Sequence, residues 1–545
     1  MKKYISVLFL LISSVSLKSQ ESPKRPFENP KLVVGIVVDQ MRYDYLTRFW
    51  NRYGEGGFKR MINNGFNCKN NHFNYTPTYT APGHTSIYTG TTPKVHGVIA
   101  NDWYDKTLDK SVYCAGDNNV IQIGTTDEAE RMSPHQMLTT TVTDQLRLAT
   151  QMKGKVVGVS IKDRGAILPA GHTGIAYWFH GKDEGVWVTS SYYMNELPKW
   201  VNKFNKSNAA DNYKKTWNTL YDISSYTESG TDNNDFETGF EGEEAPIFPH
   251  KLDFVWDKNS GFDIIKSSPF GNSLTADFAL AAIEGEDLGK DDITDFLAVS
   301  FSSTDYVGHN FGVNSIEVED TYLRLDKDLE RFFNALDVKV GEGNYTVFLT
   351  SDHGAIHVPS YLQSVKIPAG YFDNSEFKSK IKDFLHKKYG NDKLIKNISN
   401  SQIFLDHHLL KTLHLELIDV EKAIAVEMIN YKGVAEVYTA GDMMSQNYTK
   451  GMAMLLQNGY NHKRSGDVLF VLQENVISYH MKGSTHGSGF NYDTHVPLLF
   501  FGKGINNGET TKRTEIIDIA PTISVLLGIS FPNGATGSPI SEVIE

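Results

Sequence analysis

Short apolar runs alternate with amphipathic stretches along most of this chain. The apolar runs, rich in β-branched residues, cover 31–38, 156–161, 296–301, 345–350 and 496–501. Runs of this kind are typical of strands buried on both faces, as in a parallel sheet covered by helices. Helical periodicity is clearest over 133–151, 318–336 and 516–527. This alternation predicts an α/β fold with a mostly parallel central sheet flanked by helices.

Polar side chains follow four of the predicted strands. Asp39 closes the first, Lys162 follows the second, and Asp305 and Asp352 come shortly after the third and fourth. In open α/β sheets, ligands bind outside the carboxyl ends of the strands. We therefore expect these four side chains to share one site, although they are spread over three hundred positions.

Two long segments fit the sheet pattern poorly. Residues 170–290 are rich in Trp, Tyr, Asn and Gly with weak periodicity, and residues 360–450 carry helical patterns with little strand. We interpret both as insertions within one catalytic domain spanning 30–545, with the second forming a cap over the active site. A purely structural role for either insertion fits the sequence equally well.

The N-terminus has the pattern of a secretory signal over residues 1–20. Lys2 and Lys3 precede an apolar run over 5–12, and small residues follow. That run is far below the roughly 20 residues needed to cross a bilayer. The alternative is a buried N-terminal helix or an uncleaved anchor. No later segment is long and apolar enough to be a transmembrane helix, so we expect a periplasmic or secreted protein.

The overall charge restricts the partners. The formal charge is −12, and removal of the signal with its three lysines takes it to −15. Such an acidic chain is not expected to bind nucleic acid. An anionic substrate needs locally concentrated positive charge, which bound metal ions supply.

Cys68 and Cys114 are the only cysteines. Their number fits one disulfide in an oxidising compartment, and we expect that bond. The alternative is two unrelated buried thiols. Neither lies in a Cys-x-x-Cys pattern, so any metal must be held by oxygen and imidazole ligands.

Six side chains could provide such ligands. Asp305 and His309 stand four apart in TDYVGHN, a spacing that can place both on one side of a turn. The full set is Asp39, Asp305, His309, Asp352, His353 and His486. Divided between two ions, three carboxylates and three imidazoles suit zinc. Taken singly, each residue is equally well explained as a helix cap, a turn aspartate or a hydrogen-bonded core histidine.

The order of the motifs resembles the alkaline phosphatase superfamily. They are the strand ending in Asp39, then YTAPGHTSIYTG, HGVIAND, TDYVGH, SDHG and THGS. Within that superfamily the chain is most similar to the nucleotide pyrophosphatase/phosphodiesterase branch and its phosphate-irrepressible, PafA-type alkaline phosphatases. The resemblance covers roughly 30–535. It implies one zinc held by Asp305, His309 and His486, and another held by Asp39, Asp352, His353 and the nucleophile.

The resemblance also assigns the residues that handle the phosphoryl group. Thr80 matches the nucleophile, a choice that composition alone does not make among the threonines of its loop. Asn101 matches a donor to a phosphoryl oxygen, although Asn-Asp also favours turns. Lys162 and Arg164 match a pair that contacts the transferred group. His84 is interpreted as structural, because zinc would activate the threonine.

Lys162 and Arg164 carry the inference about substrate. They stand two apart just after a strand, and in an extended chain both would face the same side. The alternative is a solvated basic loop end. A monoester presents two negative charges on its non-bridging oxygens, whereas a diester presents one and a second organic group. Two cations therefore favour the monoester.

The sequence thus predicts a two-zinc alkaline phosphatase that cleaves small phosphate monoesters through a phosphothreonine intermediate. We expect the enzyme to scavenge phosphate and to be a monomer. A phosphodiesterase or nucleotide pyrophosphatase with the same site is the first alternative. An inactive exported metal-binding protein is the second, and it predicts a broken ligand set. A sulfatase would need a Cys/Ser-x-Pro-x-Arg motif, which neither cysteine provides. Asp406-His407-His408 and Asp493-Thr494-His495 are left without a chemical role.

Overall fold

The computed structural model describes residues 28–544 and is built around a sheet of ten strands. From one edge to the other they are Gly508–Glu515, Phe66–His72, Leu498–Gly502, Tyr345–Thr350, Leu32–Val38, Asp295–Phe301, Val156–Ser160, Ile175–His180, Val186–Ser190 and Gln122–Ile123. The five strands from Tyr345–Thr350 to Ile175–His180 are parallel, and most pairings nearer the edges are antiparallel. The predicted α/β fold is confirmed, as a mixed sheet with a parallel centre.

The central strand, Leu32–Val38, explains the continuous apolar pattern. Every residue in it is buried, and it pairs with Asp295–Phe301 on one side and Tyr345–Thr350 on the other. Residue Val37 lies level with Ser300 and Thr350 in the two neighbours. Because the three parallel strands end at the same height, the residues that follow them meet at one edge of the sheet.

Helices cover both faces of the sheet. Among residues 28–544, the helices of eight residues or more are Thr80–Thr89, Val142–Ala149, Asp163–Ala170, Lys199–Lys206, Phe270–Gly285, Ser303–Phe311, Ile316–Leu336, Asn374–Tyr389, Leu417–Met428, Gly451–Gly459 and Ile519–Leu527. Of these, Asn374–Tyr389, Leu417–Met428 and Gly451–Gly459 pack away from the ten-stranded sheet. The helix predicted over 318–336 is present with two further residues. The one predicted over 133–151 is shorter, because Thr141 and Asp144 form a capping box that starts it at Val142.

The two predicted insertions differ in their relation to the sheet. The range 170–290 contributes the strands Ile175–His180 and Val186–Ser190 and the helix Phe270–Gly285, which packs on the sheet. The range 360–450 contributes three strands of a separate four-stranded sheet, completed by Val468–Leu472. That second sheet has its own hydrophobic core. We call residues 370–477 the cap.

The structure contradicts the expected disulfide. Cys68 and Cys114 are both buried free thiols. Cys68 packs beside Phe66 and Phe500 in one hydrophobic cluster, whereas Cys114 packs beside Trp103 in another. Burial raises the pKa of the Cys68 thiol to about 12 and also raises the pKa of the Cys114 thiol, which disfavours the reactive thiolate form of both.

The predicted signal peptide, 1–20, lies outside the described residues. Between residues 28 and 544, no helix combines the length and the apolarity needed to cross a membrane.

Free thiols make a direct prediction for chemical labelling. The native protein should resist a maleimide reagent, and the urea-unfolded protein should take up two labels without prior reduction. The variant Cys68→Ala should take up one label when unfolded. A disulfide would instead give no label in the unfolded wild type and one in the variant, as read by intact mass.

Candidate active site

Four adjacent strands bring the predicted polar residues together. In their spatial order, Tyr345–Thr350, Leu32–Val38, Asp295–Phe301 and Val156–Ser160 are followed by Asp352, Asp39, Asp305 and Lys162. All four side chains are buried. The strand ends therefore place three carboxylates and one ammonium group side by side, as the apolar runs predicted.

The ammonium group of Lys162 forms ion pairs with two of these carboxylates. Its Nζ lies 2.7 Å from Asp39 Oδ2 and 2.6 Å from Asp305 Oδ2. Burial disfavours the charged amine, but the charges of Asp305 and Asp39 outweigh that effect and raise the pKa of Lys162. For Asp39 the balance is reversed: burial, followed by repulsion from Asp352, raises its pKa well above the ordinary value.

Lys162 and Arg164 do not lie in an extended segment, contrary to our prediction. A helix begins at Asp163, so Lys162 occupies the N-cap position and Arg164 lies in the first turn. Lys162 turns toward the aspartates, while Arg164 Nη1 donates to the hydroxyl of Tyr113 at 3.1 Å. The Tyr113 hydroxyl donates in turn to Asp163 at 2.5 Å. The tyrosine thus fixes one end of the Arg164 guanidinium.

Three of the predicted ligands are histidines whose Nδ1 atoms contact backbone carbonyls. The distances are 2.7 Å from His309 to Ser484, 2.7 Å from His486 to Thr78 and 3.0 Å from His353 to Gly354. A proton on Nδ1 that is donated to a carbonyl leaves the Nε2 lone pair available to a metal. His353 and His486 also stack, with ring centroids 3.4 Å apart.

The candidate ligand atoms form two adjoining groups. One comprises Asp39, Asp352 and His353, and the other Asp305, His353 and His486; within each, the atoms lie within 4.8 Å of one another. The first group is the predicted one. In the second, His353 stands where we predicted His309, although His309 Nε2 lies only 3.2 Å from Asp305 Oδ1.

The donor atoms suit metal ions. Within residues 28–544, Asp39 Oδ1, Asp352 Oδ2 and His353 Nε2 are buried without a hydrogen-bond partner. Buried polar atoms nearly always have a hydrogen-bond partner. Three such atoms without a partner in one group indicate that these side chains coordinate a bound ion. Carboxylate oxygens combined with imidazole nitrogens, without thiolates, are the ligand set of hydrolytic metal centres.

Thr80 is the first residue of the helix Thr80–Thr89 and is buried. At this helix end, the backbone amide of Ala81 donates to Asn101 Oδ1 at 2.9 Å. The contact orients the Asn101 amide, because an oxygen engaged with Ala81 leaves the Nδ2 group to act as the donor. A helix N-terminus also favours negative charge.

His84 connects the helix Thr80–Thr89 to Asp352 and to the strand Asp295–Phe301. Its Nδ1 lies 2.9 Å from the carbonyl oxygen of Thr80 and 3.3 Å from Asp352 Oδ2, and its Nε2 lies 2.9 Å from Ser300 Oγ. With both ring nitrogens engaged and no exposed surface, His84 fits a structural role.

Sequence reasoning missed Gln40. Its backbone is in the left-handed region, with φ 63°, and this turn points both of its donors at the aspartates. The amide N lies 3.2 Å from Asp352 Oδ1, and Nε2 lies 2.6 Å from Asp305 Oδ1. The residue thus joins the two candidate groups. Adjacency to Asp39 was its only signal in the sequence.

Asp493, left as structural, connects two ligand-bearing loops. Its Oδ2 accepts from the amide and hydroxyl of Ser488, two residues after His486. Its carbonyl accepts from the amide of Gly354, next to His353. The Asp406-His407-His408 segment lies in the cap, where His407 pairs with Asp467 at 2.9 Å. It contributes to neither ligand group.

Comparison with known proteins agrees with this arrangement. Residues 33–496 match the family model "Type I phosphodiesterase / nucleotide pyrophosphatase". The chain is 49% identical to alkaline phosphatase PafA of Elizabethkingia meningoseptica, over 100% of this chain and 99% of the relative. It is 44% identical to alkaline phosphatase PhoV of Synechococcus elongatus, over 99% of each.

The likeness extends to solved structures. The crystal structure of wild-type PafA superposes with a TM-score of 0.92 at 49% identity, covering 96% of this chain and 100% of that one. A family match over most of the chain, a relative of near-equal length and a shared fold all agree. This chain therefore belongs to the type I phosphodiesterase/nucleotide pyrophosphatase family, within the alkaline phosphatase superfamily.

Proposed function

We propose that this protein is an alkaline phosphatase that hydrolyses phosphate monoesters. The observation that carries the proposal is Lys162, whose ammonium group contacts one carboxylate from each candidate metal group. A cation held between the two groups of candidate ligands could neutralise negative charge on the non-bridging oxygens of a phosphoryl group bound beside them. The names of the relatives, PafA and PhoV alkaline phosphatases, support the same activity.

We further propose two zinc ions. His353 Nε2 lies 3.5 Å from Asp39 Oδ1 and 3.7 Å from Asp352 Oδ2, so we assign these three residues to one ion, along with Thr80. Asp305, His309 and His486 remain for the other. When bound, the ions would lower the pKa of the Thr80 hydroxyl and of water and neutralise charge on the leaving oxygen.

The chain's own residues bind and orient the phosphoryl group. Thr80 is presented at a helix N-terminus as the nucleophile. Its attack on phosphorus would break the bond to the ester oxygen, release the alcohol and give a phosphothreonine, which water would hydrolyse to phosphate and free Thr80. Asn101 Nδ2, Lys162 and Arg164 would donate to the non-bridging oxygens as the transfer proceeds. Tyr113 holds Arg164, and His84 holds the helix that carries Thr80.

The same contacts favour a monoester over a diester. The helix that bears Arg164 packs against the helix that begins at Thr80, so we infer that Lys162 and Arg164 both reach a phosphoryl group bound at Thr80. A monoester would present charged oxygen to both cations. A diester would place an uncharged organic group against the buried Lys162 ammonium or the half-buried Arg164 guanidinium, which costs binding energy.

We place the enzyme outside the cytoplasm, periplasmic or secreted, acting on small phosphate monoesters to release phosphate. The N-terminal pattern of residues 1–20 supports this location.

The substrate preference can be measured directly. The zinc-loaded wild type should show a far higher kcat/KM for an aryl phosphate monoester than for its methyl diester. In the double variant Lys162→Ala/Arg164→Ala, monoester kcat/KM should fall by about 10²–10³ or more, because donors to the transition-state charge are lost. Diester kcat/KM should change far less, so the preference collapses.

A matched variant tests whether charge alone matters. Lys153 and Arg513 are exposed, and Lys153→Ala/Arg513→Ala removes the same net charge away from the site. Its preference should equal that of the wild type. A wild type that prefers the diester would overturn the monoesterase assignment, and a wild type that turns over neither ester would favour the inactive metal-binding protein.

Gln40 gives a prediction about metal affinity. Gln40→Ala removes the Nε2 group that donates to Asp305 and leaves the backbone amide that donates to Asp352, and partners of metal ligands typically contribute 10–100-fold to affinity. We expect zinc dissociation constants raised by roughly that factor, measured by calorimetry and by metal content after dialysis against a chelator. Gln363→Ala, at an exposed residue in a cap-side helix, is the control. Equal zinc content in all three proteins would exclude this role.

A further inference from the structure

The row of polar residues at the carboxyl end of the sheet extends one strand beyond the candidate active site. The strand Ile175–His180 pairs in parallel with Val156–Ser160, the strand that precedes Lys162. It ends at His180, whose side chain is buried. His180 belongs to neither of the two candidate ligand groups of the active site, so its surroundings need a separate explanation.

Three carboxylates lie around the His180 imidazole. Asp127, Glu130 and His180 offer ligand atoms that all lie within 4.8 Å of one another. Glu130 Oε1 lies 2.8 Å from His180 Nδ1, and Glu184 Oε1 lies 3.7 Å from His180 Nε2. The four residues come from two segments, 127–130 and 180–184, so the cluster connects a loop to the end of the strand.

The hydrogen bonding of His180 is incomplete. Its Nε2 makes no hydrogen bond within residues 28–544, although the residue is only 3% exposed. Buried polar atoms nearly always have a partner. Glu130, by contrast, is held in place, because its Oε2 accepts a hydrogen bond from the indole N–H of Trp178. An oriented carboxylate beside an incompletely bonded imidazole is an arrangement that a bound cation would complete.

The charges of the cluster favour a divalent cation. Asp127, Glu130 and Glu184 contribute three negative charges, and Lys182, which pairs with Asp127, contributes one positive charge. A divalent ion beside a neutral His180 would cancel the remaining charge, whereas protonation of His180 alone would leave one negative charge. The side chains of Asp127 and Glu184 are 25% and 40% exposed, so an ion can reach the cluster from solvent.

We propose that Asp127, Glu130 and His180 form a further zinc site, outside the two candidate groups of the active site. One imidazole and two carboxylates, with a fourth position for water, make a zinc ligand set. His180 Nδ1 would bind the ion, and Nε2–H would donate to Glu184, as metal-bound histidines commonly donate to a carboxylate. This site does not depend on the proposed function.

The observed distances are close to those of a bound ion. Ligand atoms about 2.0–2.2 Å from a tetrahedral zinc stand roughly 3.3–3.6 Å apart. The contact of 2.8 Å between Glu130 and His180 therefore has to open only slightly. The ion would fasten the loop 124–131 to the end of the strand Ile175–His180, which gives it a structural role.

Zinc content tests the site. After zinc loading and dialysis against metal-free buffer, His180→Gln should hold one zinc per chain fewer than the wild type, measured by inductively coupled plasma mass spectrometry. The same difference should appear in a His353→Ala background, which removes a residue common to both active-site groups. The result then holds whatever number of ions the active site binds. His462→Gln, at an exposed histidine of the cap, should match the wild type.

Amide hydrogen exchange shows where the ion binds. With free zinc at about ten times its dissociation constant, exchange through local opening should slow about tenfold in 124–131 and 180–185. This slowing should be absent from His180→Gln and from Asp127→Asn. Peptides that contain His353 or His486 report separately on ions in the active site.

The outcomes separate the two proposals. Equal zinc content in the wild type and His180→Gln, or no slowing of exchange in 124–131 of the wild type, overturns the further site even if monoesters are hydrolysed well. If His180→Gln does not fold, Asp127→Asn decides by the same two measurements. A protein that loses one zinc with His180→Gln but hydrolyses no monoester would keep this site and overturn the proposed function.

Discussion

The concentration of negative charge at the ends of three parallel strands is the constraint on which the rest of this structure depends. Asp352, Asp39 and Asp305 follow adjacent strands and are all buried. Several kcal/mol are needed to bury each carboxylate, and Lys162 supplies one compensating positive charge. Burial and repulsion from Asp352 raise the pKa of Asp39, so one lysine does not satisfy the group. Divalent cations would complete the balance, and the two groups of candidate ligands that include these carboxylates are suited to hold them.

The candidate ligand histidines lie in the helix Ser303–Phe311 and in two loops, and each is held by a backbone carbonyl. His309, His353 and His486 direct Nδ1 to Ser484, Gly354 and Thr78. These carbonyls come from segments far apart in the chain, and Gln40 and Asp493 connect the segments to one another. The geometry of the site is therefore set by a network of hydrogen bonds around it, and the sheet supplies the rigid support.

The sequence predicted the parts of this site that follow from strand periodicity. The apolar runs located the central strands, and the polar residues after them meet as expected, because parallel strands end together. It could not predict that Arg164 turns toward Tyr113, since that depends on a helix starting at Asp163. Nor did it identify Gln40, whose role depends on a left-handed turn. A pair of cysteines likewise suggests a disulfide, while their placement in separate hydrophobic clusters is a tertiary property.

The cap meets the rest of the protein through hydrogen bonds to backbone carbonyls as well as through aromatic contacts, such as that of Phe404 with Tyr104. The cap has its own hydrophobic core, and its contacts with the core include Asn400 donating to the carbonyl of Asp102 and Asn458 donating to that of Asn74. Side chains that bind backbone carbonyls tolerate changes in the neighbouring side chains, because every residue offers the same carbonyl. Hydrogen bonds of this kind allow the apolar side chains of the cap to vary while the buried carboxylates and Lys162 stay fixed by the strands that precede them. In the proposed function these strand ends bind the phosphoryl group, so the cap could change without loss of that binding.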